Sequence, residues 1–144
     1  LNAAAETVVY PPPIKSFQLT FPDGWQSPQA NTYQSPERVM TVLLFSFNVP
    51  DMDAILVLNK QIEQLLTQYR DLTNDMIKIN GHFVYHLSGT GLLSGKSYLV
   101  QQYLFPYQPP YQQMTGGILI FYAETAHTYN QPIYEHLIQT LKVF

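Results

Sequence analysis

The chain has 144 residues, a formal charge of −3 and no cysteine. This length suits one globular domain, and the lack of cysteine excludes disulfides, thiolate metal sites and a cysteine nucleophile. The negative charge argues against non-specific nucleic-acid binding, and no apolar run approaches the roughly 20 residues of a membrane-spanning helix. Charged residues make up only 12% of the chain and hydrophobic residues 46%, so glutamine, asparagine, serine and tyrosine must form much of the exterior.

Residues 1–13 are predicted to form a flexible lead or the remnant of a processed N-terminus. The chain begins at Leu1, and Tyr10-Pro11-Pro12-Pro13 favours an extended, polyproline-like conformation. Such a lead is typical of a domain set off from an export signal, although a trimmed cytoplasmic domain would look similar. We therefore expect a single domain over residues 14–144. We place it in the periplasm or elsewhere in the envelope, with the cytoplasm as the alternative, and a missing N-terminal segment would allow membrane tethering.

The first half of the domain begins with two predicted strands. Apolar and polar residues alternate over residues 17–21, and Pro22-Asp23-Gly24-Trp25 then predicts a turn. Residues 39–49 are apolar on nearly both faces, as in a central strand that is covered on each side. Pro50 ends this second strand.

A helix is predicted next, from about residue 52 to residue 70. Asp51 and Asp53 can cap its first turn. Apolar residues then recur at spacings of three and four, which places one buried stripe on the helix. The stripe consists of Ile55, Leu58, Ile62, Leu65, Leu66 and Tyr69. Asp71 and Asp75 are predicted to lie in the exit loop, where turn chemistry explains them.

An antiparallel ribbon is predicted over residues 77–105. Two strands flank the turn at Asn80-Gly81, and a glycine-rich loop over residues 88–96 leads to a third strand. The loop approaches the pattern of a phosphate-binding loop, yet Thr90 occupies the place of its first glycine. A phosphate loop also leads into a helix, whereas β-branched and aromatic residues follow here. We therefore predict no nucleotide site.

Residues 106–114 are predicted to form a hairpin loop that projects from the sheet edge, because so many prolines do not fit inside a sheet. Tyr107 and Tyr111 stand on a stiff frame made by Pro109 and Pro110. Preordered aromatic groups bind at low entropic cost, so these four residues are candidate partner-binding residues. The alternative is that the tyrosines pack back against the sheet edge.

The end of the chain predicts a buried strand over residues 117–123 and a closing helix. The helix is expected to start near Asn130 with Pro132 in its first turn. Its buried stripe is predicted to contain Ile133, Leu137, Ile138 and Leu141. The order of elements argues for an α+β fold, a curved antiparallel sheet of about six strands with helices packed on it.

Several segments together carry a family resemblance. They are Phe17 to Trp25, the long helix, Ile77-x-Ile79-x-Gly81, Gln101-Gln102-Tyr103 and Ile138 to Val143. This set resembles the PsbP-like superfamily, which includes the extrinsic PsbP proteins of photosystem II, the Ran-binding Mog proteins and bacterial DcrB-like domains, and the bacterial branch is the most similar. The resemblance implies α-β-α layers without catalytic chemistry and a role as a binding or assembly accessory. Some bacterial members are lipid-anchored, but the anchor cysteine is missing here, and no family functional residue is carried over.

No catalytic, metal or cofactor site is predicted. His82 and His86 share one side of a strand, but four residues span about 13 Å, too far for two bonds of roughly 2 Å to one metal. His136 is expected to face solvent, and His127 lies in a predicted loop near Glu124. Two residues make a weak acid–base pair, because a catalytic site needs several groups in mutual geometry.

The sequence therefore predicts a non-catalytic accessory or assembly domain of the bacterial envelope that binds a protein partner. One alternative is a module whose cleft between sheet and helix holds a small apolar ligand. The other is a hydrolase that uses Glu124 and a histidine. A closed core would favour the partner, and an apolar cavity would favour the ligand.

Overall fold

The computed structural model describes residues 5–11, 16–106 and 114–144. The described residues form ten strands, two α-helices and two short 3-10 helices. The strands are β1 Glu6–Tyr10, β2 Phe17–Phe21, β3 Gln26–Gln29, β4 Thr32–Gln34, β5 Met40–Phe47, β6 Thr67–Ile79, β7 His82–Leu93, β8 Lys96–Pro106, β9 Thr115–Ala123 and β10 Lys142–Val143. The α-helices are α1 Asp51–Leu65 and α2 His127–Gln139, and the 3-10 helices are Pro36–Arg38 and Glu124–Ala126.

The strands form two antiparallel sheets. Seven strands pair in the order β3-β4-β5-β9-β8-β7-β6, and three pair in the order β1-β2-β10. The α+β class and the antiparallel pairing agree with the sequence prediction. The main sheet has seven strands rather than about six, because the short hairpin of β3 and β4 was not predicted and the predicted strand β2 lies in the small sheet.

The large sheet is covered on both faces, and the alternation along its strands divides the core in two. Along β9, Ile118 and Ile120 belong to one apolar cluster and Leu119 to the other. Helix α1 covers the face that carries Leu119, and the small sheet with α2 covers the opposite face. Successive side chains of a strand point to opposite faces, so the strands predicted at residues 39–49 and 117–123 are indeed covered on each side. Neither described helix has the length and apolar character needed to cross a membrane.

Helix α1 is shorter than predicted. It ends at Leu65, and the backbone of Leu66 is extended, with φ −116° and ψ 129°. The change of direction removes Leu65 from the predicted buried stripe and keeps Leu66 in it: Leu65 is 45% exposed, whereas Leu66 is 2% exposed. Predicting Leu65 as a core residue was therefore wrong, and Tyr69 lies in β6 rather than in the helix.

The predicted exit loop after the helix is instead strand β6, whose 13 residues include Asp71 and Asp75. It pairs with β7 along nearly its whole length, from Thr67 opposite Leu92 to Ile79 opposite His82. Most of its side chains are exposed, so the alternation that reveals a half-buried strand is absent. The strand forms because its backbone pairs with β7. The side-chain pattern of the sequence does not show this pairing.

Two further boundaries differ from the prediction. Glu6–Tyr10, expected in the flexible lead, is strand β1 and pairs with β2, Val8 lying opposite Leu19. Helix α2 begins at His127, three residues before the expected start, so His127 is helical and Pro132 lies inside the helix. The division of the chain at residue 14 stays a prediction.

Candidate functional site

The predicted partner-binding residues Tyr107, Pro109, Pro110 and Tyr111 lie outside the described residues. The strands on either side are described: β8 ends at Pro106, which pairs with Thr115 at the start of β9. Pro106 therefore belongs to the sheet, contrary to the prediction. Because β8 and β9 are interior strands of the large sheet, the hairpin joins two central strands rather than lying at an edge strand.

The glycine-rich segment is a strand and not a loop. β7 runs through Gly89 and Gly91 to Leu93, and the turn falls at Ser94-Gly95. A side chain on Gly89 would lie 2.4 Å from the Tyr69 hydroxyl, and one on Gly91 would lie 2.7 Å from Leu66 Cβ. These glycines allow the end of α1 and the start of β6 to pack closely on the sheet, so close packing accounts for the near-match to a phosphate loop.

The predicted histidine and carboxylate candidates are held in ordinary contacts. His86 Nε2 lies 2.8 Å from Gln101 Oε1, and its ring stacks on Tyr103 at 4.5 Å. Glu124 accepts a hydrogen bond of 2.9 Å from Ser97, whereas the ring of His127 lies 6.4 Å from that of Tyr122. The backbone N–H of His127 donates to the carbonyl oxygen of Glu124, but no hydrogen bond joins their side chains, and no group of three or more His, Asp or Glu suited to a metal occurs among the described residues.

The structure brings together a different set of residues, which line an apolar surface cleft of about 330 Å³. The cleft lies between the turn after β2, the 3-10 helix that begins at Pro36 and the outer side of α2. Its walls are Pro22, Asp23, Trp25, Pro36, Tyr129, Pro132, Ile133 and His136. We call this the apolar cleft.

The first wall of the apolar cleft comes from the Phe-Pro-Asp-Gly-Trp segment. Gly24 has φ +92°, a conformation that glycine adopts without steric cost, and a side chain there would approach Pro36 Cγ to 3.1 Å. Trp25, 6% exposed, has its ring 5.3 Å from that of Phe21. Phe21 in turn stacks on Tyr33 at 4.1 Å. The wall of the cleft is therefore continuous with the hydrophobic core.

The second wall is a stripe on α2 formed by Tyr129, Pro132, Ile133 and His136. Their spacing of three, four and seven residues places them on one side of a helix. A separate stripe of Asn130, Tyr134 and Leu137 is buried against the large sheet. The predicted buried stripe agrees with the structure, since Leu137 and Leu141 lie in the core and Ile133 and Ile138 pack against it. The prediction missed the cleft, which the recurrence of Tyr129, Pro132, Ile133 and His136 could have revealed.

Polar bonds fix the position of α2 behind the apolar cleft. The hydroxyls of Tyr134 and Tyr103 hydrogen-bond to each other across the core, and burial raises the pKa of both tyrosines above the usual range. Both hydroxyls therefore stay protonated. At the end of the helix, Thr140 Oγ1 accepts a hydrogen bond of 3.0 Å from the backbone N–H of Thr20. The first bond ties α2 to β8 and the second ties the end of α2 to β2, so together they fix the helix that forms one wall of the cleft.

Three solved structures resemble the chain over nearly its whole length. Cyanobacterial PsbP (CyanoP) of Synechocystis sp. PCC 6803 gives a TM-score of 0.65 at 11% identity, covering 99% of this chain and 94% of that one. The Saccharomyces cerevisiae Ran-binding protein Mog1p gives 0.59 at 10% identity, covering 98% and 96%. LpqN of Mycobacterium tuberculosis, involved in cell envelope biogenesis, gives 0.54 at 12% identity, covering 98% and 84%. The chain has the PsbP/Mog1-like fold.

The predicted resemblance is thus confirmed for the PsbP/Mog1-like fold. No family model matches the sequence, and no curated protein matches it. Identities of 10 to 12% with the three structures establish the fold alone, because one fold hosts many functions. Function must therefore be argued from the apolar cleft.

Proposed function

We propose that this chain is a non-catalytic accessory or assembly domain of the bacterial envelope that binds a protein partner through the apolar cleft. The observation that carries the proposal is a surface cleft of side-chain size, lined by aromatic and proline residues. Binding hot spots are typically such pockets, in which one apolar anchor of the partner is removed from water. The anchor we propose is an aromatic or large aliphatic side chain.

The volume of the cleft favours a side chain over a larger ligand. Pockets that hold small molecules span about 300 to 1,000 Å³, and the apolar cleft, at about 330 Å³, lies at the lower end. A cavity of about 150 Å³ holds benzene, so the cleft has room for one or two apolar groups of that size. A partner that inserts one large side chain and covers the rim with neighbouring residues can occupy this space.

The chemistry of the walls also favours an uncharged, apolar occupant. Pro22, Pro36 and Pro132 lack a backbone N–H donor, and their rings offer apolar contact. The Asp23 carboxylate already accepts a hydrogen bond from the backbone N–H of Ala5 at 2.5 Å. The rigid proline rings are ordered before binding, so little conformational entropy is lost when an anchor enters.

The rim of the cleft is suited to an interface. Tyr129 is 53% exposed, and His136 is also exposed. Tyrosine is enriched at protein interfaces, where it combines a large apolar area with a polar tip. Mog1p, a protein of the same fold, is described as Ran-binding, and LpqN as involved in cell envelope biogenesis. Because these two proteins share the fold, the analogy supports our proposal that this chain binds a protein and lies in the envelope.

The proposal is tested by capture from membranes of the source organism with two matched variants. Tyr129→Ala removes the exposed wall of the cleft, and Phe83→Ala removes an aromatic ring of similar exposure, 61%, from β7 outside it. Loss of an interface anchor costs about 2 kcal/mol, or roughly thirtyfold in affinity. We expect Tyr129→Ala to lose the captured protein and Phe83→Ala to retain it.

A photo-crosslinking amino acid at each of the two positions identifies the surface directly. At position 129 it should form a covalent adduct with the captured protein, and at position 83 it should not. Equal capture by both variants, or adducts only from position 83, would show that the partner binds elsewhere.

The predicted hairpin surface remains a second contact to test. If Tyr107 and Tyr111 anchor a partner, replacing both with serine should lower capture and leave the melting temperature nearly unchanged. If the rings instead pack on the sheet, the same change should lower the melting temperature, because about 150 Å² or more of buried area is lost per ring. A double variant that is stable and binds as the parent does would exclude both roles.

A small apolar ligand is the second candidate, because an apolar cavity is the feature that such a ligand requires. The cavity lies beside α2 and the turn after β2. Trp25 is the chain's only tryptophan, so its fluorescence reports on the cleft alone. A co-purified small molecule in native mass spectrometry, together with saturable quenching by an apolar probe such as N-phenylnaphthylamine, would favour this function over partner binding.

A further inference from the structure

A second pocket, of about 350 Å³, lies where β6 begins, β7 ends and β8 begins. Its character is opposite to that of the apolar cleft, because most of the side chains that line it are polar. It is formed by Gln68, Arg70, Thr90, Gly91, Leu92 and Ser97. We call it the arginine pocket.

The backbone of β6 opens this pocket. The pairing of β6 with β7 shifts register between Thr67 and Arg70, and Gln68, between them, has φ +53°. Such a bulge bends the strand and redirects its side chains. Pairing resumes with Arg70 directly opposite Thr90, which brings the guanidinium onto the face of the sheet that carries the Thr90 hydroxyl.

Arg70 holds unused hydrogen-bond donors. Its Nε donates to Thr90 Oγ1 at 3.4 Å, and no carboxylate among the described residues forms an ion pair with it. A guanidinium has five N–H donors in a planar fork, so its two terminal NH2 groups remain available. The Thr90 hydroxyl accepts from Arg70 and keeps its own proton to donate, and the Gln68 side-chain amide adds two more donors.

We propose that the arginine pocket binds a carboxylate group. A planar carboxylate matches the guanidinium fork and receives two parallel hydrogen bonds from it. The Leu92 side chain supplies an apolar wall beside this position, which suits a carboxylate attached to a short hydrocarbon group.

Two features disfavour a phosphate in the same place. Ser97 donates its proton to Glu124 at 2.9 Å, so this hydroxyl is occupied and a negative charge stands next to the pocket. Arg70 is also the only cation among the lining residues, and one positive charge balances a carboxylate but not a doubly charged phosphate. The binding of a single charge is therefore favoured.

The test uses NMR of the 15N-labelled protein at constant ionic strength with three probes: propionate, neutral propionamide and inorganic phosphate. We expect propionate to cause saturable shifts at the Arg70 Nε–H and at the backbone amides of Thr90 and Gly91. Propionamide, which has the same shape without the charge, should cause none. Phosphate should bind more weakly than propionate.

Two variants of β6 distinguish binding in the pocket from a general effect of the protein's net charge. Arg70→Gln should weaken propionate binding at least about tenfold, since charge-assisted hydrogen bonds are lost. Lys78→Gln removes a positive charge from the same strand outside the pocket, and should change the affinity less than about twofold. Glu124→Gln should strengthen phosphate binding more than propionate binding.

Three results would overturn the proposal. They are the absence of a saturable shift with propionate in the parent, equal weakening by Arg70→Gln and Lys78→Gln, and tighter binding of phosphate than of propionate in the parent. Spectra of each variant without probe establish that it is folded, because the unperturbed amides must keep their positions. The result is independent of the partner that the apolar cleft binds.

Discussion

The two helices are attached to the large sheet in different ways. α1 is held by apolar packing, with Leu58 and Ile62 on the sheet. α2 is held by directional polar bonds as well, chiefly the Tyr134 to Tyr103 hydrogen bond and the contact of Thr140 with β2. Apolar packing tolerates small displacements, whereas hydrogen bonds fix distance and angle. The helix that shapes the apolar cleft is the one whose position is set by hydrogen bonds, as a preorganised binding site requires.

The largest expected loss of stability comes from removing a buried leucine from either helix, which tests whether apolar packing holds both helices on the sheet. Leu58 is 2% exposed in α1, and Leu137 is fully buried in α2. Replacing either with alanine should lower the free energy of unfolding by about 2 to 5 kcal/mol, because transfer energy is lost and a cavity remains. Urea denaturation measures both. A loss below about 1 kcal/mol for Leu137→Ala alone would show that polar bonds, and not the core, hold α2.

A smaller effect is expected where α1 ends against the sheet. Gly91→Ala should destabilise the protein by about 1 to 3 kcal/mol, because the new methyl group overlaps Leu66. Lys96→Ala, in the same near-match to a phosphate loop but exposed, should change stability by no more than about 0.5 kcal/mol. Thermal unfolding of the two variants compares them. A tolerated Gly91→Ala would contradict the close packing described above.

Removing the polar bond of α2 should have a comparable or slightly smaller effect. Tyr134→Phe deletes one hydroxyl and leaves that of Tyr103 buried without its partner, which should cost about 1 to 2 kcal/mol. Tyr129→Phe deletes a hydroxyl from an exposed tyrosine of the same helix and should be neutral within about 0.5 kcal/mol. If the two variants unfold at the same denaturant concentration, the Tyr134 to Tyr103 bond does not position α2.

The smallest effect is expected at Leu65. Because this side chain is 45% exposed, Leu65→Ala should cost no more than about 1 kcal/mol, while Gln64→Ala, also exposed, should be neutral within about 0.5 kcal/mol. The sequence-based phase of the helix predicted a loss of about 2 to 5 kcal/mol at Leu65. Denaturation curves of the two single variants show whether Leu65 is exposed, as in the structure, or buried, as the helical periodicity predicted.

The sequence predicted those elements that are marked by periodic apolar residues, by a continuous apolar run or by turn residues. β2, the Asn80-Gly81 turn, the start of α1 and the doubly covered strands β5 and β9 follow from periodicity and turn residues. Residues 67–76 of β6 do not, because side chains exposed on both faces remove the pattern and only pairing with β7 defines this part of the strand. Leu65 and Leu66 are a second case in which the side-chain pattern is not sufficient. The helix ends between them, so only Leu66 is buried, and the sequence does not show where the helix ends.

The two pockets were missed for a different reason, although the spacing of residues on α2 indicated one wall of the apolar cleft. Both join segments that are distant in the chain: Trp25 and Tyr129 in the apolar cleft, and Arg70 and Ser97 in the arginine pocket. Each segment has an adequate local explanation, as a turn, a helix surface or a strand. Their chemistry appears only when the sheet order brings them together.

The ends of the large sheet have a consequence for behaviour in concentrated solution. Open sheet edges invite pairing with strands of other molecules, and proline or charged side chains prevent it. The β3 edge contains Pro28, and the β6 edge carries Arg70, Asp71, Asp75 and Lys78, all exposed. A chain with few charged residues thus concentrates four of them on the strand where aggregation would begin. Neutralising these four should lower solubility before it lowers stability.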